Sequence, residues 1–454
     1  MKVYHVSDIH LGRKRLDGRL PDQDFVTAFR FIAEEAVWDK ADVFLITGDL
    51  FDRPQVEPAQ LQQAQEVLRF LKAKCVRVIA VEGNHDKAFV HSGEQTWMQF
   101  LANEDLLILL RPRFNADGAV LEPLDSGTRT GSWVDLGGVR FTGAGYLGAA
   151  TPAKVRQILD RLEAGLPNVL LLHAGPEYFV GEGGGFSKDD LLAIEAKVCY
   201  LALGHIHKPM LHGDWACNPG SPENCELHEA SYEKDKKGAM VSRGYAVVEI
   251  DTAQPAKPRS IEVRSNPRRP VYRIVLDCTS FGNKTKNGAE ALIAAAVKAI
   301  AQIKPTNDAV VDLWLTGKLN LNRIALDQSF AATQIGSEAG VFAVAMDTTH
   351  LNVVEGFAAA GSAGTAGISR DQLERASIRT LIDDGNVWGL VAERENLAGL
   401  FYDLKESVRQ KRAPEEIAEQ IATNPLVEAI RAAKAVSVPA QAEAATAPPV
   451  EPAP

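Results

Sequence analysis

Five polar clusters in the first half of the sequence carry side chains that can bind metal ions. Each cluster directly follows a short apolar run of the kind that forms a buried strand. In chain order the clusters are Asp8-Ile-His10, Gly48-Asp49, Gly83-Asn84-His85-Asp86, His173 and Gly204-His205-Ile-His207. Because the carboxyl ends of strands in an α/β sheet open into one crevice, we expect these side chains to converge there.

The donor atoms of these clusters predict a pair of divalent metal ions. Imidazole nitrogens with carboxylate and amide oxygens, and no thiolate, favour Mn²⁺, Fe²⁺ or Zn²⁺ over copper(I), iron–sulfur clusters or Ca²⁺; of these we expect Mn²⁺. The candidate ligands outnumber the needs of one ion, and they are Asp8, His10, Asp49, Asn84, His173, His205 and His207. Asp49 stands alone at its strand end, so we expect it to bridge two ions about 3.5–4 Å apart.

Such a pair of ions would support hydrolysis of a phosphate ester. The ions acidify a water molecule and hold a phosphate oxygen for in-line attack. The departing oxygen needs a proton or a nearby positive charge, and His85, beside Asn84, has a pKa in the right range. We predict His85 as the catalytic residue. A buried structural histidine is the plain alternative for any one member, but clusters at successive strand ends disfavour it for the whole set.

Composition indicates a multidomain protein of a reducing compartment. The 454 residues, 46% hydrophobic and 24% charged, are about three times the usual length of one domain. The net charge of −10 means that nucleic-acid contacts would depend on local basic patches, metal ions or a partner. Five scattered cysteines without a C-x-x-C pair, and no apolar run near the ~20 residues of a membrane span, predict a cytoplasmic protein without a membrane segment.

Alternating strand and helix patterns predict an α/β domain, which is followed by regions of different composition. The predicted regions are a main domain at 1–265, a capping domain at 266–350, a Gly/Ala-rich flexible linker at 351–367, a helical region at 368–435 and a disordered tail at 436–454. In the helical region, Ser369 suits an N-cap and Pro414 suits a first helical position. An apolar stripe over 397–408 is either internal core or a docking face for a partner, and we favour docking because the linker separates it from the main domain.

The ordered clusters resemble the pattern of the calcineurin-like metallophosphoesterase superfamily, which is D-x-H, G-D, G-N-H-D/E, H and G-H-x-H. The resemblance covers about residues 1–250. It implies an α/β fold, a four-layer α-β-β-α sandwich, with a small α+β capping domain and C-terminal helices. It also implies that Asp8, His10, Asp49 and His207 hold one ion, that Asp49, Asn84, His173 and His205 hold the other, and that His85 is catalytic.

Within that superfamily the sequence is most similar to the SbcD-type nucleases of DNA double-strand-break repair. The similarity lies in residues 1–12, 48–52, 200–209, 218–223 and 244–250. It implies exonuclease activity at DNA ends without sequence preference, with endonuclease activity left open, and docking of the C-terminal helices on an SMC-like coiled-coil ATPase of the SbcC type. The chain has no G-x-x-x-x-G-K-[ST], so ATP hydrolysis would belong to that partner. A homodimer stays open.

Two other functions remain open at this point. Residues 48–53 also fit the G-D-x-x-D-R of serine/threonine phosphatases, whose arginine holds phosphate, so a small phosphoester is an alternative substrate. A non-catalytic DNA-end scaffold is the second alternative.

Three further predictions concern residues around the clusters. We expect Asp52 to orient His85 through a hydrogen bond, as carboxylates do for metal-site histidines. Arg13-Lys14-Arg15 is as much a candidate for contacting DNA phosphates as for a solvated loop. A separate zinc site at unusual spacing would consist of His212, Cys217, Cys225 and His228.

Overall fold

The computed structural model describes most of the chain. The described residues are 1–87, 95–163, 167–181, 184–233, 240–252, 258, 260–279, 288–319, 328–353, 394–409 and 412–427. The chain divides into two compact units, Met1–Gly356 and Phe357–Pro454.

The first unit begins with strands and helices that alternate along the chain. The strands are β1 Lys2–Val6, β2 Val43–Thr47, β3 Arg77–Val81, β4 Ile108–Leu110, β5 Arg113–Asn115, β6 Gly118–Val120, β7 Thr130–Gly131, β8 Trp133–Leu136, β9 Val139–Ala144, β10 Asn168–Leu172, β11 Tyr200–Leu203, β12 Met210–His212, β13 Ala216–Asn218, β14 Gly244–Glu249 and β15 Ser260–Ser265. The α-helices are α1 Gln23–Trp38, α2 Pro58–Ala73, α3 Trp97–Asn103, α4 Thr151–Leu159, α5 Glu177–Val180 and α6 Lys188–Glu195. Short 3₁₀ turns cover Leu16–Gly18, Gly148–Ala150 and Leu227–Glu233.

Two large sheets face each other. Over the described residues the strand orders are β15-β14-β1-β2-β3-β4-β7 and β12-β13-β11-β10-β9-β8. Alternation along the strands supplies both faces: in β2, Val43 and Leu45 join the core between the sheets, whereas Phe44 and Ile46 pack with α1, α2 and α3. Helices α4 and α6 cover the outer face of the second sheet. The predicted four-layer α-β-β-α sandwich is confirmed.

The topology brings the polar clusters to one region. Strands β1, β2 and β3 run parallel in the first sheet, and β9, β10 and β11 run parallel in the second. The clusters follow β1, β2, β3, β10 and β11, so all of them leave the carboxyl ends of parallel strands. This shared edge is where α/β proteins bind ligands.

A buried histidine connects the two sheets beneath that edge. His5 Nδ1 lies 2.7 Å from Tyr200 Oη, and its Nε2 lies 2.9 Å from Thr47 Oγ1. Burial lowers the pKa of His5 to about 3, so the ring is neutral at physiological pH. Two strands of one sheet and one of the other are therefore joined by a satisfied polar contact.

The rest of the first unit has a sheet and a core of its own. Its elements are β16 Val271–Asp277, α7 Gly288–Ile303, β17 Val310–Leu319, α8 Gln328–Ala339 and β18 Ala343–Val353. The strands form a parallel sheet in the order β16-β17-β18, and the helices pack on it through a core that includes Leu292, Leu313 and Ile335. Arg269 pairs with Asp24 of α1 at 2.9 Å, which joins this part to the sandwich.

Strand β18 continues to Val353, past the predicted start of the linker at residue 351. The remainder of that linker, Ser369 and the predicted tail at 436–454 lie outside the described residues.

The described part of the second unit contains α9 Arg394–Arg409 and α10 Pro414–Ala422, and Pro414 begins its helix as predicted. Leu397 and Leu400 are buried with Leu426 in a small core. Phe401 and Val408 are 41% and 62% exposed. The stripe is therefore split between internal packing and an uncovered face. None of the described helices is long and apolar enough to cross a membrane.

Candidate metal centre

Four of the predicted ligands adopt left-handed backbone conformations. The φ angles are 55° at Asp8, 51° at His10, 52° at Asp49 and 85° at His205. Left-handed geometry is unfavourable for residues with a Cβ and is concentrated at functional sites. Main-chain hydrogen bonds hold these turns, because the amide of Asp8 donates to the carbonyl of Gly48 at 3.1 Å and that of His10 to the carbonyl of Asp49 at 3.0 Å.

The glycines of the clusters are required by close packing. A Cβ at Gly83 would lie 1.9 Å from Asp49 Oδ1, and a Cβ at Gly48 would lie 2.2 Å from His173 Nδ1. At Gly204 it would lie 2.1 Å from Ser7 Oγ. Only glycine lets the strand ends approach closely enough for the neighbouring side chains to meet.

The first predicted ligand set lies together. Donor atoms of Asp8, His10 and Asp49 are all within 4.8 Å of one another. His10 Nε2 lies 3.1 Å from His207 Nε2, and His207 Nε2 lies 3.9 Å from Asp8 Oδ1. Two imidazole nitrogens thus face the same space as two carboxylates.

The second predicted set also lies together. Asn84 Oδ1 is 3.1 Å from His173 Nε2 and 3.0 Å from His205 Nδ1. His173 Nδ1 donates to the carbonyl of Thr47 at 2.7 Å, which leaves its Nε2 facing the site. That Nε2 lies 3.3 Å from Asp49 Oδ2.

Asp49 lies between the two sets. Its Oδ2 is 3.8 Å from His10 Nε2 in the first set and 3.3 Å from His173 Nε2 in the second. Burial raises the pKa of Asp49, but the charges of His173 and His10 outweigh burial and hold that pKa well below its usual range. Burial likewise lowers the pKa of His173, and Asp49 outweighs it and raises this pKa to about 9.

This donor set fits divalent cations. Buried carboxylates and imidazoles converge without enough internal partners, and His10 Nδ1 is a buried atom without a hydrogen bond. A bound cation would replace the proton that Asp49 holds on His173, since metal binding to such groups releases protons. The assignment of each residue to one ion or the other stays a prediction.

His85 lies beside both sets and is only partly buried. Its amide donates to Asp49 Oδ1 at 2.9 Å, and its Nδ1 lies 2.7 Å from the main-chain carbonyl of Asp52. The orienting contact at residue 52 therefore comes from the backbone, whereas we had expected the carboxylate. The Asp52 amide donates to the Leu11 carbonyl at 3.0 Å, and its carboxylate lies 3.1 Å from Arg13 and 3.4 Å from His10 Nδ1.

Sequence reasoning missed two side chains of the site. Glu229, in a 3₁₀ turn, is buried with its Oε1 2.6 Å from His207 Nδ1. The ring of Tyr146 lies 5.3 Å from the ring of His205. Tyr146 belongs to a G-x-G-x-x-G segment that indicates only a turn, and Glu229 has no characteristic spacing from any cluster.

The basic segment and the alternative zinc set are not assembled as their sequence suggested. Arg15 is buried and pairs with Asp24 at 2.7 Å and Glu223 at 3.2 Å, so it is not available to DNA, whereas Lys14 is exposed. Among the described residues, Cys225 clusters with His10 and His207 rather than with the other three predicted zinc ligands.

Comparison with known proteins agrees with this geometry. Residues 1–209 match the family model for calcineurin-like phosphoesterase. The chain belongs to this family of metallophosphoesterases, since it has the domain, the four-layer sandwich and the ordered ligand clusters.

Within the family the chain is similar to archaeal proteins named DNA double-strand break repair protein Mre11. It is 26% identical to that of Archaeoglobus fulgidus over 71% of this chain and 72% of the relative. The values are 28% over 62% and 65% for Aeropyrum pernix, and 27% over 58% and 57% for Methanopyrus kandleri. A crystal structure of TT1561 of Thermus thermophilus aligns at a TM-score of 0.32 and 12% identity, over 58% of this chain and 99% of that one.

Proposed function

We propose that the protein is a metal-dependent nuclease that processes DNA ends in double-strand-break repair. The phosphoesterase domain supports hydrolysis of a phosphate ester, and the names of the similar proteins support DNA repair as the setting. The proposal includes exonuclease activity without sequence preference, two ions with Mn²⁺ as the metal, and a cytoplasmic location, which suits five free cysteines.

The position of Asp49 carries the proposal. Its carboxylate faces imidazoles of both ligand sets, at 3.8 Å and 3.3 Å, as a residue shared by two ions would. Such a pair, when bound, supplies charge that acidifies water and neutralises a phosphate group. Phosphodiesters need this help because the ester is anionic.

His85 is placed to handle the departing oxygen. With Nδ1 fixed on the Asp52 carbonyl, the other ring nitrogen can face substrate. We propose that it donates a proton, or a hydrogen bond, to the oxygen that leaves when the phosphodiester is cleaved. Its amide also holds Asp49 Oδ1 at 2.9 Å, so the acid and the shared ligand are positioned together.

The test is Asp49→Asn assayed beside wild-type protein and Asp189→Asn, a substitution at an exposed carboxylate. End-labelled duplex DNA and p-nitrophenyl phosphate are both offered with Mn²⁺, and Mn²⁺ binding is measured by calorimetry. Asp49→Asn should reduce DNA hydrolysis by more than the ~100-fold seen when ligand-orienting groups are lost, and should weaken Mn²⁺ binding. Asp189→Asn should match wild type.

Three results would count against the proposal. Turnover of p-nitrophenyl phosphate without DNA cleavage would favour the small-phosphoester alternative. DNA binding without either product would favour the scaffold. Full activity of Asp49→Asn would remove the shared-ligand role.

We propose that an SMC-like ATPase docks on the second unit. The uncovered side chains of α9, Phe401 and Val408, are a suitable apolar face. A Phe401→Glu protein that still co-purifies with such an ATPase as well as wild type does would contradict this assignment.

A further inference from the structure

A buried cysteine lies next to the first ligand set, although no cluster motif contains it. Ligand atoms of His10, His207 and Cys225 are all within 4.8 Å of one another. Cys225 is a free thiol that is 2% exposed. A sulfur donor therefore faces the same space as two imidazoles.

Glu229 holds two members of this trio in place. Its Oε1 is 2.6 Å from His207 Nδ1, and its Oε2 accepts from the amide of Cys225 at 2.9 Å. With Nδ1 bound to a carboxylate, His207 presents Nε2 to a metal, which is the usual arrangement of a metal-binding histidine. The same carboxylate fixes the backbone that carries the thiol.

The surroundings of Cys225 favour a cation. Burial raises the pKa of Cys225 well above its ordinary value, and the charges of Glu229, Asp8 and Asp52 raise it further, against the opposite effect of Arg13. A thiol among carboxylates stays neutral on its own. A divalent cation reverses that preference because a coordinated thiol loses its proton to solvent.

The chemistry of the trio selects zinc. One thiolate and two imidazoles are a borderline-soft set that suits Zn²⁺, whereas Mn²⁺ prefers oxygen ligands. Nitrogen and sulfur ligands of a tetrahedral Zn²⁺ lie roughly 3.4–3.6 Å apart, so the three atoms need approach by only about 1 Å. Asp8 or Asp49 can supply a fourth donor, because both lie in the cluster with His10.

We propose that Cys225 is a further metal ligand, so that the first ion site has a second, sulfur-containing donor set with which it holds Zn²⁺ in preference to Mn²⁺. The inference rests on the predicted metal centre but not on the nuclease reaction. It makes one site of the pair selective by ligand type while the second set, which has only nitrogen and oxygen donors, is not.

The test loads the full-length protein with Co²⁺, a spectroscopic substitute for Zn²⁺, and records thiolate-to-cobalt charge-transfer absorption in the near ultraviolet. Wild type should show the band and Cys225→Ala should lose it. Cys199→Ala is the matched control, because Cys199 is equally buried between the sheets, 3% exposed, and away from the trio. Competition titrations should show Zn²⁺ affinity lowered by about tenfold or more in Cys225→Ala, with a smaller change for Mn²⁺.

The outcomes separate this inference from the proposed function. A wild-type spectrum without the charge-transfer band would overturn it, whether or not the variant folds, and so would a band that Cys225→Ala retains. Equal losses of Zn²⁺ and Mn²⁺ affinity would also overturn it, because they would indicate general damage. Absence of DNA cleavage, with the band present and specific to Cys225, would reject the nuclease and leave the zinc site standing.

Discussion

Two parallel sheets in the first unit differ in what their strand ends carry. In the sandwich, the turns after the strands place Asp8, Asp49 and His205 in left-handed conformations, with glycines packed against them. In the sheet β16-β17-β18, the one described non-glycine residue with positive φ is Lys304, which follows helix α7. A parallel sheet supplies a crevice, but strained turns and missing side chains are what bring donor atoms within reach of one another.

The largest effect that would test this difference is loss of His85. His85→Asn should lower DNA hydrolysis by about 10²–10⁴-fold, because the departing oxygen loses its proton donor, while Mn²⁺ binding persists. An ester with a p-nitrophenyl leaving group should lose much less, since that group departs without a proton. His350→Asn, at an exposed position of β18, should leave both rates unchanged. Equal losses on both substrates would show that His85 acts on something other than the leaving oxygen.

A pair of glycine substitutions compares the two sheets directly. Gly83→Ala would place a Cβ 1.9 Å from Asp49 Oδ1, so the carboxylate must move. We expect Mn²⁺ affinity to fall by about 100-fold and the free energy of unfolding by about 1–3 kcal/mol. Gly336→Ala in α8 would meet Val344 Cγ2 at an ordinary 3.6 Å and should raise the free energy of unfolding by about 0.5–1 kcal/mol. Calorimetry and urea unfolding measure both, and similar effects at the two positions would contradict the comparison.

The smallest effect concerns His5, which joins the facing sheets. Its folded pKa of about 3 lies below the ordinary 6.5, so the unfolded chain takes up the proton first as pH falls. The stabilisation is complete above pH 6.5 and declines by up to about 1.4 kcal/mol per pH unit below it. Urea unfolding at pH 7 and pH 5 should show this decline in wild type and in His350→Gln, and a weaker one in His5→Gln. An equal slope in His5→Gln would assign the acid sensitivity to other groups.

The sequence sufficed for the fold and for the residues that meet. Period-two strands such as Val43–Thr47 and ordered clusters after them predict the layers, because alternation and strand ends are local patterns. Contacts that depend on long-range packing were out of reach. The carboxylate of Glu229 on His207, and the backbone rather than the side chain of Asp52 on His85, are set by how separate loops meet. Arg15 reads as a surface cation but is buried in ion pairs for the same reason.

The orientation of the site's histidines has a consequence for how the sequence can drift over evolution. His173 and His85 are aligned by the carbonyl oxygens of Thr47 and Asp52, at 2.7 Å each. Because every amino acid has this oxygen, neutral replacements at positions 47 and 52 would preserve the alignment. His207 depends instead on the carboxylate of Glu229, so that position must keep an acid. Divergent descendants of this chain should vary at 47 and 52 well before they vary at 229.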